Sequence, residues 1–101
     1  MSFYIYILKC SDDSYYTGHT DNLEMRIVAH QTGEIPGYSF TRRPVHLVFS
    51  EEFPTRVDAI ERERQIKRWS RHKKEALIKQ DWDRLKQLAR SRGSTSSPRT
   101  G

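Results

Sequence analysis

Glu63 is the residue whose setting most needs a chemical explanation. On a helix beginning after Pro54, a step of 100° per residue places it between Ala59 and Ile60 and close to Ile66, inside the apolar stripe, whereas Glu61 points to the charged side. A carboxylate among core-facing residues needs a partner cation or a metal, because burying it unpaired is expensive. A salt bridge, for example to Arg26, meets the same need. Two tyrosine-bearing triplets, Tyr4-Ile5-Tyr6 and Tyr16-Thr17-Gly18, form a second group. A hairpin can set the phenols of Tyr6 and Tyr16 side by side, with Gly18 leaving space for a ligand's backbone, although paired tyrosines also simply pack sheets. The third feature is charge. Residues 56–74 hold eight basic side chains against three acidic ones, a surplus equal to the +5 of the whole chain. Arg42 and Arg43 add a pair in a loop that also carries Tyr38 and Phe40. Such charge usually marks a solvated face, but beside Glu63 it favours a surface that tracks phosphates.

These side chains must be positioned by elements that the sequence signals locally. Residues 3–9 and 14–18 read as a hairpin whose first strand is apolar on both faces: Tyr4, Tyr6 and Leu8 on one, Phe3, Ile5 and Ile7 on the other, as in a covered central strand. Asp21 as N-cap with Glu24 three residues on predicts a helix over 22–32 that stops at Gly33, with Leu23 and Ile27 buried and Arg26 and His30 on a neighbouring stripe. Residues 33–44 carry two Gly and two Pro, which predicts a long loop without regular structure. Its aromatics can stack on bases or tuck against the body. A strand over 45–53 follows, with Val45, Leu47 and Phe49 on its apolar face. Thr55, with Asp58 at the capping-box position, predicts a helix over 56–69. Ser70 caps a short helix through Ala76, Leu77 and Ile78, and Asp81 a fourth whose Trp82, Leu85 and Leu88 can dock on the domain. The expected fold is a small α/β (α+β) domain over residues 1–90, a three-stranded, mainly antiparallel sheet flanked by helices, with a flexible polar tail at 91–101.

Composition narrows the function classes. With 31% charged residues the core is thin, so the two Trp and four Phe are expected to supply much of its volume. The basic balance points to an anionic partner. A single cysteine, Cys10, builds neither a disulfide framework nor a cysteine-based zinc site, which suits a reducing cytoplasm. The first residues lack the basic flank and cleavage site of a signal peptide, and no apolar run approaches membrane-spanning length, so a soluble cytoplasmic protein without a membrane partner is expected.

The order Tyr6, Tyr16, Gly18, an Arg at 26 and a Glu on a later helix resembles the GIY-YIG nuclease family over about residues 3–79, most closely its short stand-alone bacterial members, whose second triplet commonly reads Tyr-Thr-Gly. Tyr4 stands where the family's first triplet has Gly, and Asn22, the only Asn, leaves no candidate for a late Asn that many members carry. The resemblance implies an endonuclease that hydrolyses phosphodiester bonds, as in DNA repair, with DNA favoured over RNA as partner. It implies Tyr16 as general base, Arg26 as the cation that stabilises the transition state, and Glu63 as the one protein carboxylate holding a divalent cation. It further implies Tyr6 supporting Tyr16 or orienting water, and His19 and His30 contacting phosphate or relaying a proton. Arg42, Arg43, Lys67, Arg68, Arg71, Lys73 and Lys74 are the expected nucleic-acid contacts. A free phenol ionises near pH 10, so a tyrosine base needs positive charge beside it. One carboxylate completed by waters and phosphate suits Mg²⁺ or Mn²⁺ better than Zn²⁺.

Two other readings stay open on the residues: a nucleic-acid-binding module of this fold with weak or no cleavage, and a structural protein whose basic helices meet an acidic protein partner. The presence of Tyr6, Tyr16, Arg26 and Glu63 together argues against both, since a pure binder has no need of a carboxylate inside a phosphate-binding face. Substrate structure, sequence preference and oligomeric state leave no signal in the chain.

Overall fold

The doubly apolar segment near the N-terminus is the centre of the sheet. Strand β1 (Phe3–Lys9) lies between β2 (Tyr15–Thr20) and β3 (His46–Phe53), antiparallel to both. Ile5, Tyr6, Ile7 and Leu8 of β1 are each no more than 1% exposed, so both faces of the central strand are covered as the alternation predicts. The computed structural model describes residues 2–95 and shows the expected α+β architecture, three antiparallel strands with helices α1 (Leu23–Thr32), α2 (Arg56–Lys67), α3 (Arg71–Ile78) and α4 (Trp82–Thr95). These residues divide into two compact units, one ending at Arg68 and the other beginning at Trp69.

In the first unit α1 lays Leu23 and Ile27 against Tyr6, Leu8, Cys10 and Val45. Helix α2 packs on all three strands and buries Ala59, Glu63 and Ile66. It brings Glu63 against His19, the cross-strand partner of Ile5. The cap of α1 is Asn22, not Asp21: the Asn22 side chain accepts from the Met25 N–H, and the Asn22 N–H itself donates to Thr20 Oγ1. Gly33, at φ 82°, ends this helix in the left-handed conformation that glycine adopts without a Cβ penalty. Thr55 caps α2 by accepting from the Asp58 N–H, and α2 ends at Lys67, two residues before the expected stop.

Strand β3 departs from simple alternation. Ile7 pairs with Phe49 and Leu8 with Leu47, so Val48 is an extra residue, and the bulge leaves Leu47 40% exposed instead of on the apolar face. The loop at 33–44 contains one regular element, a 3₁₀ turn at Phe40–Arg42, and its Arg43–Pro44 peptide is cis. The core is also more aliphatic than composition suggests. Its fully buried large side chains are Ile5, Ile7, Leu8, Val45, Ile66 and Leu77 with Tyr6 and His30, and no Phe or Trp is among them. Phe3, Phe49, Phe53 and Trp69 are instead only partly buried, and Phe40 and Trp82 are exposed.

In the second unit Ser70 caps α3 by accepting from the Lys73 N–H, and Asp81 Oδ1 accepts from the Arg84 N–H at the start of α4. Ala76 and Leu77 are buried, whereas Trp82 is 52% exposed and so does not take the docked position expected of it. Helix α4 continues to Thr95, into the stretch read as a tail, and residues 96–101 lie outside the described residues. No helix among the described residues is long and apolar enough to cross a membrane.

Candidate active site

A buried polar chain runs beneath the sheet on the α1 side. Tyr6 Oη lies 2.9 Å from His30 Nε2, and His30 Nδ1 lies 2.7 Å from Ser39 Oγ. All three residues are at most 2% exposed. Burial raises the Tyr6 phenol well above its ordinary range; the Tyr16 phenol and the Glu63 charge add to this, and Arg26 opposes it. A phenol held protonated donates, so Nε2 accepts and the remaining His30 N–H donates to Ser39. Burial, assisted by the Arg26 charge, also lowers the His30 pKa and keeps the ring neutral. His30 therefore cannot touch a phosphate directly, since both nitrogens are occupied inside the protein. It can hold Tyr6 in place and pass a proton.

Gly18 lies directly opposite Tyr6 in the hairpin. A Cβ at Gly18 would come 2.6 Å from Tyr6 Oη, 2.7 Å from its Cζ and 3.2 Å from Tyr16 Cε2. The missing side chain thus makes room for the Tyr6 phenol and not for a ligand's backbone, which corrects the expectation from sequence. Gly18→Ala is expected to destabilise the fold by about 1–3 kcal/mol, because the buried ring has nowhere to move. Denaturant unfolding beside wild type checks this, and an unchanged midpoint would contradict it.

Tyr16 differs from Tyr6 in access. It pairs with Leu8, is partly exposed, and its phenol has no hydrogen-bond partner among the described residues. Its ring centroid is 5.2 Å from that of His30 and 6.3 Å from that of Tyr6, so the buried pair forms its support. Tyr38 stacks on it at 6.2 Å, and the Arg42 guanidinium lies 3.8 Å from the Tyr38 ring centre. Arg42 also donates to Asp12 Oδ2 at 3.0 Å and to the Tyr38 carbonyl at 2.9 Å. Arg43 donates to the Phe40 carbonyl at 2.9 Å and lies over the Phe40 ring. The arginine pair is thus engaged in bracing the loop that presents Tyr38 and Ser39. Neither of those two was among the residues expected to form the site. Tyr38 had a signal, an aromatic in a basic loop; Ser39 had none, because its role depends on reaching a histidine nine residues back.

Glu63 is buried as its helical position predicts, but its partners are His19 and Lys67, not Arg26. Oε1 meets His19 Nδ1, and Oε2 lies 2.6 Å from Lys67 Nζ. Burial pushes the carboxyl pKa up, and the hydrogen bonds and charges of Lys67 and His19 outweigh it, so Glu63 is held below its ordinary range and stays ionised. Arg26 is exposed on α1, and no carboxylate pairs with it among the described residues. Arg68 caps the C-terminus of α2, while Arg71, Lys73 and Lys74 belong to the second unit, where Arg71 pairs with Glu75 at 3.0 Å and Lys73 lies over Trp69.

No cluster of three or more His, Cys, Asp or Glu side chains gathers among the described residues. What the first unit offers a metal is one ionised, nearly enclosed carboxylate already surrounded by positive charge. That fits a hard cation that keeps most of its waters better than a fully protein-ligated ion.

The model of a family described as the GIY-YIG catalytic domain matches residues 2–76. UPF0213 protein SSP2268 of Staphylococcus saprophyticus is 49% identical over 75 residues, which span 74% of this chain and 92% of that protein. UPF0213 protein SH2523 of Staphylococcus haemolyticus is 47% identical over 77 residues, 76% of this chain and 94% of its own. Among solved structures, the NMR structure of UPF0213 protein BH0048 from Bacillus halodurans superposes with a TM-score of 0.52 at 40% identity, covering 78% of this chain and 84% of that one. The NMR structure of protein EF2693 from E. faecalis gives 0.56 at 36% identity, with 79% and 85% covered.

Proposed function

The chain belongs to the GIY-YIG catalytic domain family, which is nuclease-associated, and from that premise we propose that it is a metal-dependent endonuclease acting on nucleic-acid phosphodiester bonds, with DNA as the favoured substrate. The observation that carries the reading is the division of labour between the two tyrosines. Tyr6 is enclosed, hydrogen-bonded to His30 and held protonated. Tyr16 rests on that pair with its oxygen unpartnered, which is what a group that must take a proton from water requires.

In this reading Tyr16 acts as the phenolate, whose Oη takes one proton from the attacking water and becomes the neutral phenol as the hydroxide oxygen bonds to phosphorus. The exposed Arg26 guanidinium, which hydrogen-bonds the Tyr6 phenol and pairs with no carboxylate among the described residues, neutralises charge that develops on the phosphoryl oxygens. The Tyr6–His30–Ser39 chain fixes the Tyr16 ring from below. Glu63 would hold the divalent cation, Mg²⁺ or Mn²⁺, with His19 orienting the carboxylate; the cation supplies positive charge to the phosphate and its leaving oxygen. The expected phosphate contacts are Lys67 and Arg68 near Glu63, His19 once the substrate is present, and Arg42, Arg43, Arg71, Lys73 and Lys74 where their present partners yield.

One observation favours a different reading. Both Glu63 oxygens already have partners within the protein, as suits a nucleic-acid-binding module of this fold without cleavage. Incubating the protein with plasmid, branched DNA and RNA in Mg²⁺, Mn²⁺ or chelator separates the two. The nuclease reading predicts products in metal and none in chelator. Binding with every substrate intact would replace it by the binding module.

A further inference from the structure

The two contacts to Glu63 are unequal. Lys67 follows it by one helical turn, and the Lys67 side chain is 51% exposed where that of Glu63 is 11% exposed. The carboxylate is fixed by packing beside Ala59 and Ile66 and by His19 from β2. The ammonium sits on a flexible four-carbon stem with water within reach, so leaving costs it little hydration. Without Lys67, the carboxylate would be a largely enclosed anion relying on His19 alone, which is costly to maintain. Lys67 thereby allows an ionised carboxylate to be preformed before any metal arrives.

A divalent cation and an ammonium do not share one carboxylate comfortably, because positive charges a few ångströms apart near a protein interior repel by far more than thermal energy. An ammonium that leaves Glu63 seeks another anion, and a nucleic-acid phosphate is a suitable one. We propose, building on the reading of Glu63 as the cation-holding residue, that Lys67 is an exchangeable internal counter-cation: it occupies Glu63 in the resting protein, competes with the divalent ion, and is drawn off by a substrate phosphate, so that metal and nucleic acid bind cooperatively. Linkage makes this reciprocal, with the metal strengthening phosphate binding by the same factor as the nucleic acid strengthens metal binding. Lys67 is then a positioning residue for the metal and not a catalytic one.

The test measures Mn²⁺ binding by calorimetry or electron paramagnetic resonance, independently of turnover, on the full chain and on Lys67→Met, Lys67→Arg and Glu63→Gln. Lys67→Met keeps the stem without the charge and is expected to bind Mn²⁺ about tenfold more tightly than wild type, within the usual range for linked sites. Lys67→Arg keeps the charge and should bind as wild type does. A short phosphorothioate DNA oligonucleotide should tighten Mn²⁺ binding to wild type and have a much smaller effect on Lys67→Met. If Glu63→Gln abolishes binding but Lys67→Met binds no tighter than wild type, the counter-cation role is overturned while the metal-holding role of Glu63 stands. If no variant and no wild type shows Glu63-dependent Mn²⁺ binding, the reading beneath falls and this inference falls with it.

Discussion

Glu63→Ala is expected to lower metal-dependent cleavage by about 10³-fold or more while leaving nucleic-acid binding intact or strengthened. Glu63 is the buried acidic side chain of the first unit, and its carboxylate is kept ionised by Lys67 and His19. Removing it takes away the carboxylate proposed to hold the cation, and it removes a negative charge from an already basic surface. The fold should survive, for a reason that can be checked separately. Losing one member of a buried ion pair is damaging when the other is left stranded out of water. Here the survivors are a Lys67 side chain 51% exposed and a His19 side chain 30% exposed, and both can be hydrated. Cleavage, fluorescence anisotropy with labelled DNA, and thermal unfolding should therefore separate cleanly. Wild-type cleavage rates in the variant would refute the assignment, and loss of folding would show that the carboxylate is structural.

The elements that hold these residues were legible where their signals are local. Alternation in β1 announced a strand covered on both faces, and Thr55, Ser70, Asp81 and Gly33 end or begin helices as their side chains dictate. Helical spacing alone placed Glu63 among Ala59 and Ile66. What stayed hidden depends on contacts between segments distant in sequence. Asp21 and Asn22 are both good caps, and the choice of Asn22 follows from Thr20 Oγ1 engaging the Asn22 N–H. His30 looks like a neighbour of Arg26 on a helix surface, yet Tyr6 and Ser39 from two other segments enclose it. The bulge at Val48 reverses the outlook of Leu47, and no residue type there signals an insertion in the pairing. Charge counting identified Lys67 as basic but could not distinguish a phosphate contact from a partner of Glu63, since both use the same ammonium.

Tyr16→Phe is expected to reduce cleavage by about 10²–10⁴-fold with little change in stability, because it deletes one oxygen that no protein group engages among the described residues. The ring contacts to His30, Tyr6 and Tyr38 depend on the aromatic body and remain. The same substitution at Tyr6 should behave in the opposite way. Tyr6→Phe leaves His30 Nε2 enclosed without its donor, which costs about 1–3 kcal/mol of stability. Its effect on cleavage would then come through a loosened support for Tyr16 and be partial. Measuring unfolding midpoints and single-turnover cleavage for both variants places them on two axes, with Tyr16→Phe displaced in rate and Tyr6→Phe chiefly in stability. If Tyr6→Phe were the stable, inactive variant and Tyr16→Phe retained cleavage, the proton would be accepted on the buried phenol instead. Such an acceptor would have to ionise against the burial that keeps Tyr6 protonated, beside a Glu63 charge that opposes it further. Tyr16 is partly exposed where Tyr6 is 1% exposed, and that difference in access is why the base is proposed on the second triplet.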